Sequence, residues 1–463
     1  MKRTQIIGTI LAIAVLIAMF FVPESIGLSQ AGIRTLGVLI ALIIALVTEP
    51  LPIGITCMLG IALMVIFGVT PTVSEALSGY TNHILFFVLV SFGLSEAIAK
   101  VPLSKRLLVL LIRLFGAKTK RILLALMICA ALMSSIMSNV ATTAVLISVV
   151  ISFLRVYDNK EEHQRSGKAF MIGLPIASMI GGMITPAGSP LNLLGIDFLA
   201  DAGIRLSFVE WILIGAPVAA VALIFSWFII ARVFHPAEIA PGKINDYITS
   251  LNIPSRFDFR EKYVTCVVAA LLILWILSSW IPALNVTVVG TVGFAFFFIP
   301  KADILNWKEY TRSVSWASFF LIGTMMSMGN ALSANGVSEW LVSILFSSKI
   351  SLPVFLIVAL ICVIVFLLLI PIPIGPALIS MLGGPFISLA EAWGYSPTLL
   401  IMPLVICAAC CFLLPLDTVP LLTYATGYYK MTDMPKVSIP IQIIIVICVA
   451  VWVPIGLMIL GYL

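Results

Sequence analysis

Charge is what this chain has least of. Asp, Glu, Lys and Arg make up 10% of its 463 residues, and histidine occurs 3 times. Hydrophobic residues make up 62%, and the mean hydropathy is +1.20. A soluble domain of this length would carry about 25% charged residues, so that class is excluded, and the composition is that of a polytopic membrane protein. The net charge of +6 sits in short loops, where it orients helices rather than binding nucleic acid. Enzyme signatures are missing too. There is no His-Glu-x-x-His, no Gly-x-Ser-x-Gly and no pair of intramembrane aspartates, which leaves an intramembrane enzyme as a remote alternative. Cysteine is present, 8 in all, and Cys407-x-x-Cys410-Cys411 has the look of a metal or redox site. No second Cys/His pair stands at ligand spacing, so these thiols are read as small residues packed between helices.

What the chain does have is long charge-free runs, and one has an unusual length. Residues 122–154 form 33 residues without a charge. One crossing needs about 20 apolar residues, and two need about 40 plus a turn. The flanks are both basic, Lys118, Lys120 and Arg121 before, Arg155, Lys160, Arg165 and Lys168 after. Both ends therefore face the cytoplasm, and the segment reads as a re-entrant hairpin whose tip is Ser138-Asn139-Val140. Residues 352–390 form a second charge-free run, interrupted midway by Pro371-Ile372-Pro373-Ile374-Gly375-Pro376 and poorly flanked by Lys and Arg. It should open to the outside.

The two halves echo each other. Ala97-Ile98-Ala99-x-x-Pro102-Leu103-Ser104 returns as Ala331-Leu332-Ser333-x-x-Gly336-Val337-Ser338, and the same offset lays Ser138-Asn139-Val140 over Ile372-Pro373-Ile374. Hairpins of opposite opening imply an inverted repeat. The expected architecture is all-α, with about eleven membrane helices plus two re-entrant hairpins. The expected parts are scaffold helices in 1–68, a first repeat in 69–235, a polar cytoplasmic loop from 235 to 262 with linking helices as far as 301, and a second repeat in 302–463. The apolar run from Ile6 to Val22 behind Lys2 and Arg3 lacks an Ala-x-Ala cleavage site. It reads as a first membrane helix with its N-terminus in the cytoplasm, in a plasma-membrane protein whose C-terminus lies outside.

Each hairpin is followed by another interrupted run. In the first half it is Thr185-Pro186-Ala187-Gly188-Ser189-Pro190-Leu191-Asn192, and in the second Leu414-Pro415-Leu416-Asp417-Thr418-Val419-Pro420. Proline removes an N–H and clashes with the preceding turn, and glycine tolerates the unwound backbone. Such breaks free carbonyls for a small hard cation and helix N-termini for an anion. Bare proline kinks are the competing reading. Ser134 and Ser138, at i and i+4, share one helix face and either face a cation or bond back to helix carbonyls. Asp417 is the one charge in 398–429. A carboxylate at that depth is a functional hypothesis, with a helix cap as its bland alternative.

The Ser-Asn-x-Ala-Thr tip, the Thr-Pro-x-Gly-Ser-Pro-x-Asn break, the Pro-x-x-Thr-x-Pro before Gly427-Tyr428-Tyr429-Lys430-Met431, and the early Thr48-Glu49-Pro50-Leu51-Pro52-Ile53 resemble the divalent anion:sodium symporter family over about residues 30–460. The resemblance implies a secondary transporter of small di- or tricarboxylates or of a sulfate-like oxyanion, coupled to sodium or working by exchange. It also implies a homodimer, an elevator-like motion and no cofactor beyond the coupling ion. Carried over by motif, Ser134, Ser138, Asn139 and Gly188 would hold sodium, and Asn139, Val140, Ser189, Pro190 and Thr418 would contact substrate. The chain departs from the pattern in three places. Position 140 is Val where the family has Thr, the second Ser-Asn-Thr tip is replaced by Pro, Ile and Gly, and Asp417 stands where a small residue is usual. These departures raise the alternative of a proton-coupled carrier, with Asp417 as a second cation or proton site.

Overall fold

The computed structural model describes residues 3–23, 27–239, 241–281, 283–345 and 352–463, and among them it is helical with no strand. Among the described residues, four helical segments are individually long and apolar enough to cross a membrane: Arg3–Phe21, Gln30–Thr48, Phe208–Phe234 and Met431–Ile459. Several other apolar segments are divided by breaks. His83–Ala99 and Leu103–Phe115, for example, meet at 65° across Lys100-Val101-Pro102. Large apolar side chains such as Phe21, Ile66, Phe86, Leu114 and Trp280 are exposed, as a lipid-facing surface requires.

The helix order repeats. His83–Ala99, Leu103–Phe115, Thr119–Ser134, Asn139–Leu154, Lys160–Gly182, Pro190–Asp201 and Phe208–Phe234 are matched in sequence by Trp316–Ala334, Val337–Leu345, Val354–Leu368, Gly375–Trp393, Thr398–Ala408, Thr418–Tyr424 and Pro435–Ile459. The correspondence reaches further back than the sequence echo. Gln30–Thr48 and Ile53–Ile66 stand before the first set as Phe259–Leu277 and Val286–Phe296 stand before the second.

The halves are intertwined. Pro190–Asp201 packs on Gly375–Trp393 and Thr398–Ala408, while Thr418–Tyr424 packs on Asn139–Leu154 and Lys160–Gly182. Ile53–Ile66 packs on Trp316–Ala334, and Val286–Phe296 on His83–Ala99. The long helices Phe208–Phe234 and Pro435–Ile459 pack on each other. Each half thus completes the other, and neither buries its apolar faces alone.

Both hairpins form as helix, break, helix. The first has arms Thr119–Ser134 and Asn139–Leu154, each 16 residues, or about 24 Å at 1.5 Å per residue. That is short of the ~30 Å hydrocarbon core. The second has arms Val354–Leu368 and Gly375–Trp393. Two elements differ from the sequence expectation. Lys160–Gly182 begins well before the apolar run at 169, because Asn159 caps it and Glu161 and Glu162 fill its first turn, where the helix dipole favours acid. The polar stretch 235–262 contains a helix, Pro241–Ser250, whose Ile244 and Tyr247 are buried. The Tyr247 hydroxyl donates to Val149 O at 3.2 Å, beneath the first hairpin.

Charges in the polar connections are tied together. Asp433 pairs with Lys168 at 3.0 Å and Lys436 at 2.7 Å. Arg106 pairs with the buried Glu261, donates to Pro254 O at 2.7 Å and Arg256 O at 3.1 Å, and lies 4.4 Å from the Phe257 ring. This clamp ties Leu103–Phe115 to the start of Phe259–Leu277.

Candidate functional site

At the first tip the helix stops at Ser134 and restarts at Asn139. The Ser134 hydroxyl donates to Asn139 Oδ1 at 2.6 Å across the break, and Ser134 is fully buried. Asn139 lies against Gly182, the last residue of Lys160–Gly182, where a Cβ would overlap its amide. A Cβ on Gly188 would fall 2.6 Å from Gly182 O and 3.1 Å from Ser134 O. Glycine at 188 therefore lets backbone approach backbone, and glycine at 182 leaves the space that the Asn139 amide fills. The result is a tight group of oxygens: Ser134 O and Oγ, Asn139 Oδ1 and Gly182 O around Gly188. No Lys or Arg occurs in 122–154 or in 169–200. Hydroxyl, amide and carbonyl oxygens suit a hard cation.

The second break is held open by its own side chains. Thr185 accepts the Gly188 N–H at 3.0 Å and donates to Ser135 O at 2.6 Å. The Asn192 amide donates to Gly182 O at 2.7 Å and Thr185 O at 2.8 Å. Among the described residues its Oδ1 is buried with no hydrogen-bond partner, an orphaned acceptor of the kind a bound cation or water satisfies. Ser189 caps Pro190–Asp201 by accepting the Leu191 N–H at 3.3 Å. Used as a cap acceptor, its hydroxyl keeps a hydrogen to donate, which suits an anion at a helix N-terminus.

The second tip adjoins the first through this same break. The Cβ position of Gly375 lies 2.9 Å from Leu191 Cδ1 and 3.0 Å from Ala408 O. Gly188 touches the first tip and Leu191 touches the second, so the two contacts are separated by at most about 11 Å of chain. The second tip is apolar. Ile374 precedes the helix without any side-chain cap, and Pro376 occupies its first turn. Beyond Thr398–Ala408, Asp417 caps Thr418–Tyr424 by accepting the Val419 N–H at 3.0 Å, with the Thr418 hydroxyl at 3.5 Å. Among the described residues Asp417 has no ion pair.

Ser134, Asn139 and Gly188 are thus brought together. Ser138 does not share a helix face with Ser134 as expected: the helix ends at Ser134, and Ser138 stands in the break before Asn139, its backbone N–H donating to Ser95 Oγ at 3.1 Å. Val140 and Pro190 are half-buried, and Thr418 is exposed on the opposite half's element. Sequence reasoning gave no part to Gly182, Asn192 or Ser95. Asn192 stands inside the quoted break motif, and the pair Gly181-Gly182 marked a close approach, but Ser95 had no signal. The cysteines Cys362, Cys407, Cys410 and Cys411 are buried, and among the described residues no group of His, Cys, Asp and Glu could hold a metal ion.

The family described as the sodium:sulfate symporter transmembrane region matches residues 3–462. A sodium-dependent dicarboxylate transporter, SdcS of Staphylococcus aureus strain USA300, is 26% identical over 467 residues, covering 95% of this chain and 89% of that protein. The SdcS of the bovine strain RF122 matches to the same extent. Two solved structures share the fold. One is Neisseria gonorrhoeae MtrF, described as illuminating a class of antimetabolite efflux pumps, with TM-score 0.54 and 11% identity over 80% of each chain. The other is the Alcanivorax borkumensis YdaH transporter, with TM-score 0.52 and 14% identity over 81% of this chain and 85% of that one. The protein is a multi-pass membrane transporter rather than an enzyme, and the chain belongs to the sodium:sulfate symporter transmembrane-region family.

Proposed function

We propose that this protein moves small dicarboxylates across the plasma membrane together with sodium. The observation that carries the reading is the cluster of neutral oxygens from Ser134, Asn139 and Gly182, closed around Gly188 at a charge-free break. Sodium is taken by that cluster first. Its charge, with the N-terminal amides of Asn139–Leu154 and Pro190–Asp201, then attracts a dianion where no basic side chain is available. Asn139, Val140, Ser189, Pro190 and Thr418 line the anion's side of the site. The name of the relative SdcS supports both sodium and dicarboxylate.

We read the packing as two bodies that meet at a broad contact between Trp316–Ala334 and Gly375–Trp393. The hairpins, Lys160–Gly182, Thr398–Ala408 and the two half-helices beyond the breaks interlock as one body. Gln30–Thr48, Ile53–Ile66, His83–Ala99, Val286–Phe296 and Trp316–Ala334 form the other. We read the cycle as an elevator-type displacement of the first body against the second, within a homodimer whose N-terminus is cytoplasmic and C-terminus external. The parts are scaffold helices in 1–68, repeats in 69–235 and 302–463, and a cytoplasmic loop with linking helices between.

Two observations favour variants of this reading. The apolar second tip offers no side-chain donor to a second carboxylate, which suits a compact sulfate-like dianion. Asp417, with no cation paired to it, suits a second cation or a proton as coupling ion. Uptake of a labelled panel of dicarboxylates, citrate and sulfate into liposomes, with sodium and proton gradients imposed separately, distinguishes them. Saturable dicarboxylate uptake driven by sodium supports the reading, and uptake confined to sulfate or driven by protons alone overturns it.

A further inference from the structure

A side-chain hydrogen bond outside the oxygen cluster joins the two bodies. The Asn82 amide donates from Nδ2 to Asp197 Oδ2 at 2.6 Å. Asn82 is fixed by its other atom, since its Oδ1 accepts the Ile84 N–H at 2.8 Å and caps His83–Ala99. The turn before it is anchored to Trp316–Ala334. The Tyr80 hydroxyl bonds Phe320 O at 2.9 Å and Thr324 Oγ1 at 2.8 Å, and the Gly79 N–H donates to Ser327 Oγ at 3.0 Å. Asp197 belongs to the hairpin body. Its neighbour Phe198 fills the space beside Gly383 of the second hairpin, 2.9 Å from where a Cβ would stand. Asp201, exposed one turn on, repeats the charge on the same face, and neither aspartate has an ion pair among the described residues.

We propose that Asn82 and Asp197 form a latch between the two bodies, made in this conformation and broken in each transport cycle. The proposal rests on the elevator-type reading. A charge-assisted bond to a carboxylate is among the stronger hydrogen bonds. Here its donor is held in place by a helix cap, so little order has to be created when the bodies meet. Helix His83–Ala99 touches the hairpin body a second time through Ser95 and Ser138, 13 residues along, or about 20 Å. The two contacts together fix the helix's alignment against the moving body, and the Asn82 contact does so without touching the ion or anion.

The residue types give a sharp test. Asn82→Asp keeps the cap, because Asp and Asn cap equally well, but sets a carboxylate against Asp197 and turns the latch into a repulsion. The swap Asn82→Asp with Asp197→Asn restores one donor and one acceptor in reverse. Initial uptake in liposomes should fall at least about fivefold in the single variant, the factor of roughly 1 kcal/mol, and return to within about twofold of wild type in the swap. A swap as impaired as the single variant overturns the proposal, and elution as a monodisperse peak guards against misfolding.

Two cysteine pairs separate the latch from the elevator, with Cys266 and Cys448 replaced by serine. One is Asn82→Cys with Asp197→Cys, bridged by mercuric ion. The other is Gly329→Cys with Ser380→Cys, which also spans the bodies, a Cβ on Gly329 lying 3.3 Å from Ser380 Cβ. Arrest of transport in both pairs, reversed by thiol, is the expected result. Arrest in the second pair with full transport in the first overturns the latch alone. Full transport in both overturns the elevator reading and the latch with it.

Discussion

Ser134 and Asn139 face each other across the break of the first hairpin, the hydroxyl donating to the amide oxygen at 2.6 Å. The bond spans the only residues of that hairpin outside both arms, and it holds Asn139 Oδ1 beside Gly182. Asn139→Ala removes the oxygen and leaves a small cavity at a half-buried position. Sodium-dependent uptake should fall at least about tenfold, equivalent to about 1.4 kcal/mol, while the protein elutes as the wild type does. Unchanged uptake with an unchanged sodium dependence would remove Asn139 from the cation site.

Gly182→Ala should be as damaging as loss of Asn139 although it adds an atom. Its Cβ would overlap the Asn139 amide and displace it from the Ser134 hydroxyl. The half-saturating sodium concentration should rise at least about tenfold with a smaller change for substrate at saturating sodium. If substrate affinity falls and sodium affinity does not, the oxygens around Gly188 serve the anion instead.

Much of this was legible because membranes impose length. A charge-free run too long for one crossing and too short for two, with basic flanks on both ends, had to turn back. The structure breaks it between Ser134 and Asn139, where the polar triplet stands. The breaks at 185–192 and 414–420 were legible from proline and glycine. The partners of the tip were less so. Gly182 and Ser95 reach it through helix packing across 43 residues or more of chain, and no local pattern records such a contact. Helix Pro241–Ser250 escaped notice because its apolar residues are few and its turns are otherwise polar. The start of Lys160–Gly182 escaped because hydropathy discards a charged first turn that capping retains.

Asp417 allows charge and cap to be separated. Asp417→Asn keeps a side-chain oxygen for the Val419 N–H, since Asn caps as well as Asp, whereas Asp417→Ala loses the cap at a cost of about 1 kcal/mol. If the carboxylate sets the coupling in the second half, both variants lose ion-driven accumulation and keep exchange of external for internal substrate. Wild-type accumulation and ion dependence in Asp417→Asn, with a defect in Asp417→Ala, would make Asp417 a cap alone.

Arg106 and Glu261 should govern stability rather than transport. Glu261 is 1% exposed, and removing one partner of a buried pair costs about 3–5 kcal/mol. Arg106→Met should lower the melting temperature in detergent by several degrees. Adding Glu261→Gln should recover part of the loss by removing the stranded charge. A melting temperature unaffected by Arg106→Met would mean that the clamp contributes nothing.

The central claim is that sodium, held at the first tip, drives a small dianion across the membrane. Its most direct test is uptake of a labelled four-carbon dicarboxylate into liposomes bearing an inward sodium gradient, with the proton gradient collapsed by an ionophore. The account predicts accumulation above the external concentration, lost when choline replaces sodium and lost in Asn139→Ala. Accumulation that persists in choline, or that requires the proton gradient, would contradict it.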